Sequence, residues 1–303
     1  MKIALFSDVH GHLRLVLQCL RCWQIASGVK LDGALIAGDL GCFPDPARLD
    51  NATRKWAARY ESEEAGFSTF FVRPHKEVMA YFEPMPGLGD ESAVSCPILF
   101  VAGNHEDYDY LNSQRHGSPA FGAPSNTFPV DCYESFHCIA DGSVAAIEGA
   151  DGNTLQVAGL WGIEDARDNA PYMMSEKAVN LLRYAVKPFD ILLSHDAVFG
   201  AFPGMKGSQQ IARILRERNP AFHLFGHVHP ISFQHEYPLD GSTTTSWILE
   251  DLTFGKNRNR LLDHSMAILN WNGQSGTIGL VQNEWILRMG CNSWRDILPN
   301  EAP

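Results

Sequence analysis

Short apolar runs alternate with stretches of helical periodicity along the first 230 residues, and this alternation predicts a mixed α/β fold. Six runs have the length and composition of buried strands: 2–7, 34–37, 97–102, 155–160, 190–193 and 222–225. Apolar residues at helical spacing predict helices over 13–23, 47–60, 74–82, 176–185 and 209–218. Strand-like pieces continue through 243–286, whereas residues 107–150 have a composition rich in loop-forming residues.

No internal repeat, low-complexity tract or linker divides the sequence, so we expect a single domain over residues 1–303. Prolines open and close a largely helical stretch at about 43–95, which we interpret as an insertion into that domain. A β-rich part at about 240–290 is expected to complete the fold at its C-terminal end.

Composition narrows the classes of function. Lys and Arg number 24 and Asp and Glu number 35, which gives a net charge of −11. This balance argues against general electrostatic capture of nucleic acid, but not against a nucleotide substrate, because a metal site supplies local positive charge. The sequence has no apolar run long enough to span a membrane. Seven scattered cysteines and a short N-terminal apolar run favour a reducing, cytoplasmic location.

Polar side chains with metal-binding chemistry follow the predicted strands, at the point where each strand ends. They are Asp8, His10, Asp39, Asn104, His105, His195, His227 and His229. The carboxyl ends of parallel strands form the ligand-binding edge of a sheet, so we expect these residues to converge. Imidazole suits Zn, Mn, Fe and Ni, and carboxylate or amide oxygens suit harder ions. The set is too large for one tetrahedral ion and suffices for two ions that share a carboxylate.

Five sequence blocks, in this order, resemble the motifs of the calcineurin-like metallophosphoesterases. The blocks are Asp8-Val9-His10, Gly38-Asp39, Gly103-Asn104-His105-Glu106, His195 and Gly226-His227-Val228-His229. The resemblance covers residues 1 to about 230. It implies a four-layer α/β/β/α sandwich with two mixed β-sheets flanked by helices, and a dinuclear metal site.

The resemblance also implies a role for each residue. One divalent transition-metal ion (Mn, Fe, Zn or Ni) would be bound by Asp8, His10, Asp39 and His229. A second ion would be bound by Asp39, Asn104, His195 and His227, so that Asp39 bridges the pair. His105 would stabilise the transition state or protonate the leaving oxygen, and a bridging hydroxide would attack phosphorus. Such hydroxide is available at neutral pH because a divalent ion lowers the pKa of bound water towards about 7.

Three further features are interpreted as support for this site. Glu106 is expected to orient His105, and Asp196 is expected to act as a partner near His195. The polar loop 165–175 is expected to act as a lid.

Other residues with chemical potential are interpreted as structural. His12 is favoured as a surface or capping histidine over a substrate contact, and His223, inside an apolar strand, as a core histidine. Cys19 and Cys22 are expected to pack, since no second pair at zinc spacing follows them. Ser208 is expected to cap a helix rather than to bind phosphate.

The choice among branches of this superfamily rests on short sequence motifs that differ between the branches. The Asp-Arg-Gly sequence of Ser/Thr protein phosphatases does not follow Gly38-Asp39, and Cys42 stands where purple acid phosphatases have Tyr. The Asn104 block and Ser194-His195-Asp196 are similar to lariat debranching enzymes, although those typically carry Cys at the position of Asp8. We therefore expect a phosphodiesterase that acts on a nucleotide or nucleic-acid phosphate. The alternatives are a phosphomonoesterase or protein phosphatase, and a non-catalytic binding protein of the same fold; the complete ligand set argues against the last.

Overall fold

Two β-sheets form the centre of the protein in a computed structural model. The structure describes residues 1–60, 65–115, 126–166, 170–184, 187–200, 207–228, 236–254 and 260–299. The strands are β1 (Lys2–Phe6), β2 (Gly33–Ile36), β3 (Ile98–Phe100), β4 (Thr127–Pro129), β5 (Phe136–Ile139), β6 (Ser143–Glu148), β7 (Thr154–Leu160), β8 (Ile191–Ser194), β9 (Phe222–Phe225), β10 (Glu236–Pro238), β11 (Thr245–Ile248), β12 (Ala267–Trp271) and β13 (Gly276–Leu280). The helices are α1 (Leu13–Ser27), α2 (Asn51–Tyr60), α3 (Gly66–Phe70), α4 (Lys76–Met79), α5 (Tyr108–Arg115), α6 (Glu176–Arg183), α7 (Gln209–Arg218) and α8 (Glu284–Leu287).

Both sheets mix parallel and antiparallel pairs. The first sheet has the order β13-β12-β1-β2-β3-β5-β4, in which β1, β2, β3 and β5 run parallel. The second has the order β10-β11-β9-β8-β7-β6, in which β7, β8, β9 and β11 run parallel. The antiparallel strands lie at the outer positions of each sheet. The predicted arrangement of two mixed sheets flanked by helices is confirmed.

The sheets pack face to face through close contacts between strands. A Cβ placed on Gly33 of β2 would meet the side chain of Ile147 of β6, and one on Gly159 of β7 would meet Ile139 of β5. The β8 and β9 residues are buried, as are those of β1, β2 and β3 with the exception of the half-buried Lys2. Strands buried on both faces read as continuous apolar runs, which is why these five could be predicted from the sequence.

Helices cover the outer faces of the sheets. Helix α1 begins directly after the loop that carries His10, and it ends at Gly28, which adopts the left-handed conformation and donates to the Gln24 carbonyl. On the second sheet, α6 and α7 bury an apolar stripe that includes Leu182 and Ile211. None of the helices in the described ranges is both long enough and apolar enough to cross a bilayer.

Residues 107–150 contain more regular structure than their composition indicates. Helix α5 and strands β4 to β6 lie in this stretch. The strands β4 and β5 have three and four residues, too few to show an alternating pattern. Helix α5 buries Tyr108 and Leu111 and exposes most of its other positions, so it lacks a full apolar stripe.

The insertion at about 43–95 consists mainly of short helices in its described residues. It contains a 3-10 turn at Pro46–Arg48, the helices α2 to α4 and a second 3-10 turn at Asp90–Ser92. The predicted helices over 47–60 and 74–82 correspond to α2 and α4, which are shorter than expected.

Candidate metal centre

Five residues of the candidate site follow parallel strands, and the two sheets bring them to one edge. Asp8, Asp39 and Asn104 come after β1, β2 and β3, which are neighbours in the first sheet. His195 and His227 come after β8 and β9, which are neighbours in the second. The carboxyl ends of both sheets therefore supply the site, as the strand-end pattern predicts.

The innermost part of the site is a cluster of two carboxylates and one imidazole. Ligand atoms of Asp8, Asp39 and His195 all lie within 4.8 Å of one another, and the three residues are buried. His195 Nε2 lies 3.3 Å from Asp39 Oδ2 and 3.1 Å from Asn104 Oδ1. His195 Nδ1 lies 3.9 Å from Asp8 Oδ1 and 3.2 Å from the Ala37 carbonyl oxygen.

Two further histidines lie around this cluster. His10 Nε2 is 4.0 Å from Asp39 Oδ2, and the His227 ring is 4.9 Å from the His195 ring, centroid to centroid. The backbone N–H of His227 lies 3.2 Å from each carboxylate oxygen of Asp8. The structure thus brings together six of the seven residues predicted to bind metal; the seventh, His229, lies outside the described residues.

The backbone at these positions is in a conformation that side chains rarely adopt. Asp8, His10, Asp39 and His227 have φ values of 37°, 46°, 43° and 69°. Positive φ in residues other than glycine is uncommon and concentrates at functional sites, because the surrounding structure must hold it in place. The strain at four candidate ligands is an indication of function independent of their side-chain chemistry.

Glycines in the motif blocks make room for the candidate ligands. Gly38 has a φ of +90°, and a Cβ at this position would overlap Nδ1 of His195. A Cβ on Gly226 would overlap Oδ2 of Asp8. The two glycines therefore let the backbone of one sheet approach a ligand carried by the other.

The electrostatics of the cluster fit a bound cation. Burial alone would raise the pKa of Asp39, but His195 beside it holds that pKa well below its usual range. Burial would lower the pKa of His195, but Asp39 and Asp8 raise it to about 10. Two buried carboxylates thus draw positive charge to this point, and a divalent ion with carboxylate, amide and imidazole ligands would supply it. Burial lowers the pKa of His227 to about 4, which keeps this imidazole in the neutral form that binds metals.

His105 is positioned by an acidic residue of the insertion. Its Nδ1 donates to Asp50 Oδ2 at 2.9 Å, and Thr53 Oγ1 donates to the same oxygen at 2.6 Å. The other oxygen, Oδ1 of Asp50, accepts from the backbone N–H of Ala52 and Thr53 at the start of α2. Burial alone would lower the pKa of His105, but the bond to Asp50 raises it to about 9.

Glu106 does not orient His105, which corrects the expectation from the sequence. Its two carboxylate oxygens accept from the backbone N–H of Leu40 and of Cys42, each at 2.6 Å. Glu106 therefore holds the loop that follows Asp39. Adjacency in sequence suggested the wrong partner, because neighbouring side chains leave the chain in different directions.

Asp196 and Ser208 both form hydrogen bonds with Glu164, in the loop after β7. Asp196 Oδ2 accepts from the backbone N–H of Glu164 at 2.9 Å, and no hydrogen bond joins Asp196 to the His195 side chain in the described structure. Ser208 Oγ caps α7 by accepting from the N–H of Ile211, as predicted. Glu164 Oε2 accepts from Ser208 Oγ and from the N–H of Gln210, so a carboxylate of this chain already occupies that helix terminus. The lid role of loop 165–175 stays a prediction, and residues 167–169 lie outside the described residues.

The residues interpreted as structural are mostly placed as expected. His223 is fully buried and bonded to the hydroxyls of Ser194 and Ser246. Cys19 and Cys22 are buried in the core. The interpretation of His12 as a surface residue is wrong, because it is buried and its ring packs edge-on against Phe254 at 6.0 Å. His12 does stand at the N-cap position of α1, although its side chain makes no cap hydrogen bond there.

Comparisons with known proteins bear on both the fold and the family. A solved structure of TT1561 of Thermus thermophilus has 14% identity and a TM-score of 0.48, and the match covers 93% of this chain and 99% of that chain. A second solved structure has 13% identity and a TM-score of 0.50 over 92% of this chain and 98% of the other, a likeness that bears on the fold alone. No curated protein matches the chain. The family model of the calcineurin-like phosphoesterases matches residues 1–230. This match covers more than half of the sequence, and the chain therefore belongs to the calcineurin-like phosphoesterase family of metal-dependent phosphoester hydrolases.

Proposed function

We propose that this protein is a dinuclear-metal phosphodiesterase that acts on a nucleotide or nucleic-acid phosphate. The observation that carries the preference for a diester is the charge of the candidate site. Within the described part of the chain, the charged side chains that contact the candidate ligands are imidazoles and carboxylates. Arg48, two residues before Asp50, is bound by Asp107 and Asp109.

This charge pattern favours a substrate with little negative charge at the reacting phosphorus. A phosphodiester has one ionised oxygen, whereas a phosphomonoester has up to two near neutral pH. A dianionic monoester gains most from additional guanidinium groups, which match its oxygens in a bidentate fashion. Because the Arg48 guanidinium is already engaged by Asp107 and Asp109, a singly charged diester matches the charge of the candidate site better than a dianionic monoester.

The residues proposed to hold the ions are the six candidate ligands that lie together in the described structure and His229, which lies outside the described residues. Asp8, His10, Asp39 and His229 would hold one ion, and Asp39, Asn104, His195 and His227 the other, with Asp39 shared. Bound divalent ions supply Lewis acidity and lower the pKa of water, which makes a nucleophile available at neutral pH. The oxygen and nitrogen donors of these residues suit Mn, Fe, Zn or Ni.

His105 is proposed to act on the leaving group. Its side chain is 22% exposed, so it lies at the open side of the site, and its ring centroid is 5.4 Å from that of His10. With Asp50 accepting from Nδ1, the Nε2 nitrogen is the one left to donate a proton to the leaving oxygen. Asp50 fixes the orientation of the ring and favours its protonated form.

The insertion is proposed to form one wall of the substrate cleft within a single domain. Asp50 and Thr53 lie at the start of α2 and reach His105, so this part of the insertion borders the site directly. A substrate that extends beyond the phosphate, such as a dinucleotide, would contact this wall.

The proposal is tested by hydrolysis of bis-p-nitrophenyl phosphate and p-nitrophenyl phosphate by the purified protein. Each assay is run without metal and with Mn²⁺, Ni²⁺, Zn²⁺ or Mg²⁺, and bound metal is counted in parallel. We expect metal-dependent turnover that favours the diester, followed by turnover of cyclic nucleotides or short RNA. A preference for the monoester would overturn the phosphodiesterase assignment, and absence of metal-dependent turnover on every phosphoester would overturn the hydrolase assignment.

A further inference from the structure

A cavity of about 580 Å³ lies between helix α1, the insertion and the C-terminal segment. Arg14, Gln18 and Arg21 of α1 line it, together with Tyr81 of the insertion and Trp294 near the C-terminal end. Its lining includes none of the candidate metal ligands. The volume is in the range of small-molecule sites, about 300–1,000 Å³.

The polar wall of this cavity is a buried stripe of α1. Arg14, Gln18 and Arg21 follow one another at intervals of four and three residues, which places them on one face of the helix. Their relative exposures are 6%, 2% and 6%. Arginine is almost never buried to this degree unless its charge is paired. The partners of the two guanidinium groups therefore show whether each charge is neutralised within the protein.

Arg14 has a carboxylate partner, whereas Arg21 has none among the described residues. The Arg21 guanidinium lies over the Tyr81 ring, with 4.6 Å between its Cζ and the ring centroid. Arg14 forms an ion pair with Glu77, and its Cζ lies 3.6 Å from the ring centroid of Phe70. Arg21 donates from Nε to the carbonyl of Ser92 at 2.7 Å and from one Nη atom to the carbonyls of Ala80 and Glu83. In the described part of the chain, every hydrogen bond of Arg21 ends on a backbone carbonyl and none on a carboxylate.

A buried cation without a counterion is costly, and an anion that enters the cavity would remove that cost. Burial lowers the pKa of the Arg21 guanidinium, in line with a charge that lacks an anionic partner. A third arginine of the lining, Arg295, lies over the Trp294 ring, with 4.5 Å between its Cζ and the ring centroid. The acidic residues of the lining are Asp296 and Glu77, and Arg14 already engages Glu77. Positive charge is thus in excess, in a protein whose net charge is −11.

We propose that this cavity is a second ligand site, which binds a small organic oxyanion through the Arg21 guanidinium and packs the apolar body of that ligand against Met85 and Leu298, two partly exposed residues of the lining. A guanidinium group matches a carboxylate or a phosphoryl group equally well, because both present two oxygens to its planar fork. The apolar residues of the wall favour a ligand with an apolar part over a bare inorganic ion.

The test is direct binding to the full-length, metal-loaded protein by calorimetry or ligand-observed NMR. The probes are benzoate, phenylphosphonate and inorganic phosphate, with benzyl alcohol as the uncharged control. We expect benzoate or phenylphosphonate to bind and benzyl alcohol not to bind. Arg21→Met should weaken binding about tenfold or more, since it removes a charged hydrogen-bond donor. The matched control Arg260→Met, which removes an exposed arginine paired with Asp263 outside the cavity, should leave the affinity unchanged.

Two further variants separate this site from the metal centre and from folding defects. Asp39→Ala should leave the cavity affinity intact, because Asp39 does not line the cavity. Arg295→Gln changes an exposed arginine and is expected to weaken binding severalfold, which keeps the test informative if Arg21→Met does not fold. Failure of both organic anions to bind, equal binding of benzyl alcohol, equal binding of bare phosphate in Asp39→Ala, or loss of binding in Asp39→Ala with retention in the arginine variants would overturn the proposal. Bare phosphate is compared in Asp39→Ala because the metal centre of the wild type is itself proposed to bind phosphate.

Discussion

Asp50 and His105 form a hydrogen-bonded pair, with 2.9 Å between Oδ2 and Nδ1, that joins the insertion to the candidate site. The same carboxylate accepts hydrogen bonds from the backbone N–H groups of Ala52 and Thr53 at the start of helix α2. One side chain thus both caps a helix and orients the ring of a candidate catalytic residue. The stretch at about 43–95 therefore contacts the candidate site through this pair.

The first prediction concerns this pair. Asp50→Asn keeps a residue that caps helices well but removes the negative charge beside His105. We expect kcat on a diester to fall roughly 10–100-fold, as for other partners that orient an active-site ligand, while bound metal is unchanged. The loss should be larger for phenyl than for p-nitrophenyl leaving groups, because the poorer leaving group depends more on proton donation.

Two controls define the Asp50 result. Asp45→Asn makes the same substitution at the cap of the Pro46–Arg48 turn and should leave kcat unchanged. His105→Ala should lose roughly 10²–10⁴ in rate with metal retained, and adding Asp50→Asn to it should have little further effect. Additive losses in the double variant would show that Asp50 does not act through His105.

The second prediction concerns the close approach at Gly38. Gly38→Ala would place a methyl group against His195 as well as straining the backbone, so we expect loss of metal binding and of turnover. Gly28→Ala is the matched control, because Gly28 also has positive φ but a Cβ there has no neighbour within 4 Å. The control should lose only the strain energy, about 1–2 kcal/mol of unfolding free energy in urea titrations, and keep its metal. Full metal content in Gly38→Ala would contradict the close packing of this loop on His195.

The third prediction concerns His223 and the dependence of stability on pH. Burial lowers the pKa of His223 to about 3, so the folded protein keeps it neutral where the unfolded chain, with a pKa of about 6.5, binds a proton. The free energy of unfolding should therefore fall as the pH drops below about 6.5. His223→Gln should reduce that slope by up to about 1.4 kcal/mol per pH unit. Urea titrations of chelator-treated protein between pH 5 and 7.5 measure it, and identical slopes in both proteins would contradict a neutral buried His223.

Features of the site that have a signal in the neighbouring sequence could be predicted, and features that depend on tertiary packing could not. The strand ends could be predicted because buried parallel strands are continuous apolar runs, and Asp8, Asp39, Asn104, His195 and His227 each follow one. The role of Asp50 could not, since it lies 55 positions before His105 and no spacing rule connects an insertion to a strand-end loop. Its only local signal was that of a helix cap. The burial of His12 was missed because it depends on Phe254, which tertiary packing brings next to it.

The central claim is that Asp39 is shared by two metal ions, and counting bound metal in Asp39→Ala tests it most directly. Asp131→Asn is the control, because Asp131 is also buried but accepts from backbone N–H groups such as that of Phe136. Wild type and control should each bind two ions per chain and hydrolyse bis-p-nitrophenyl phosphate, whereas Asp39→Ala should bind neither ion and lose turnover. An Asp39→Ala protein that folds, retains two ions and turns over near the wild-type rate would contradict the account.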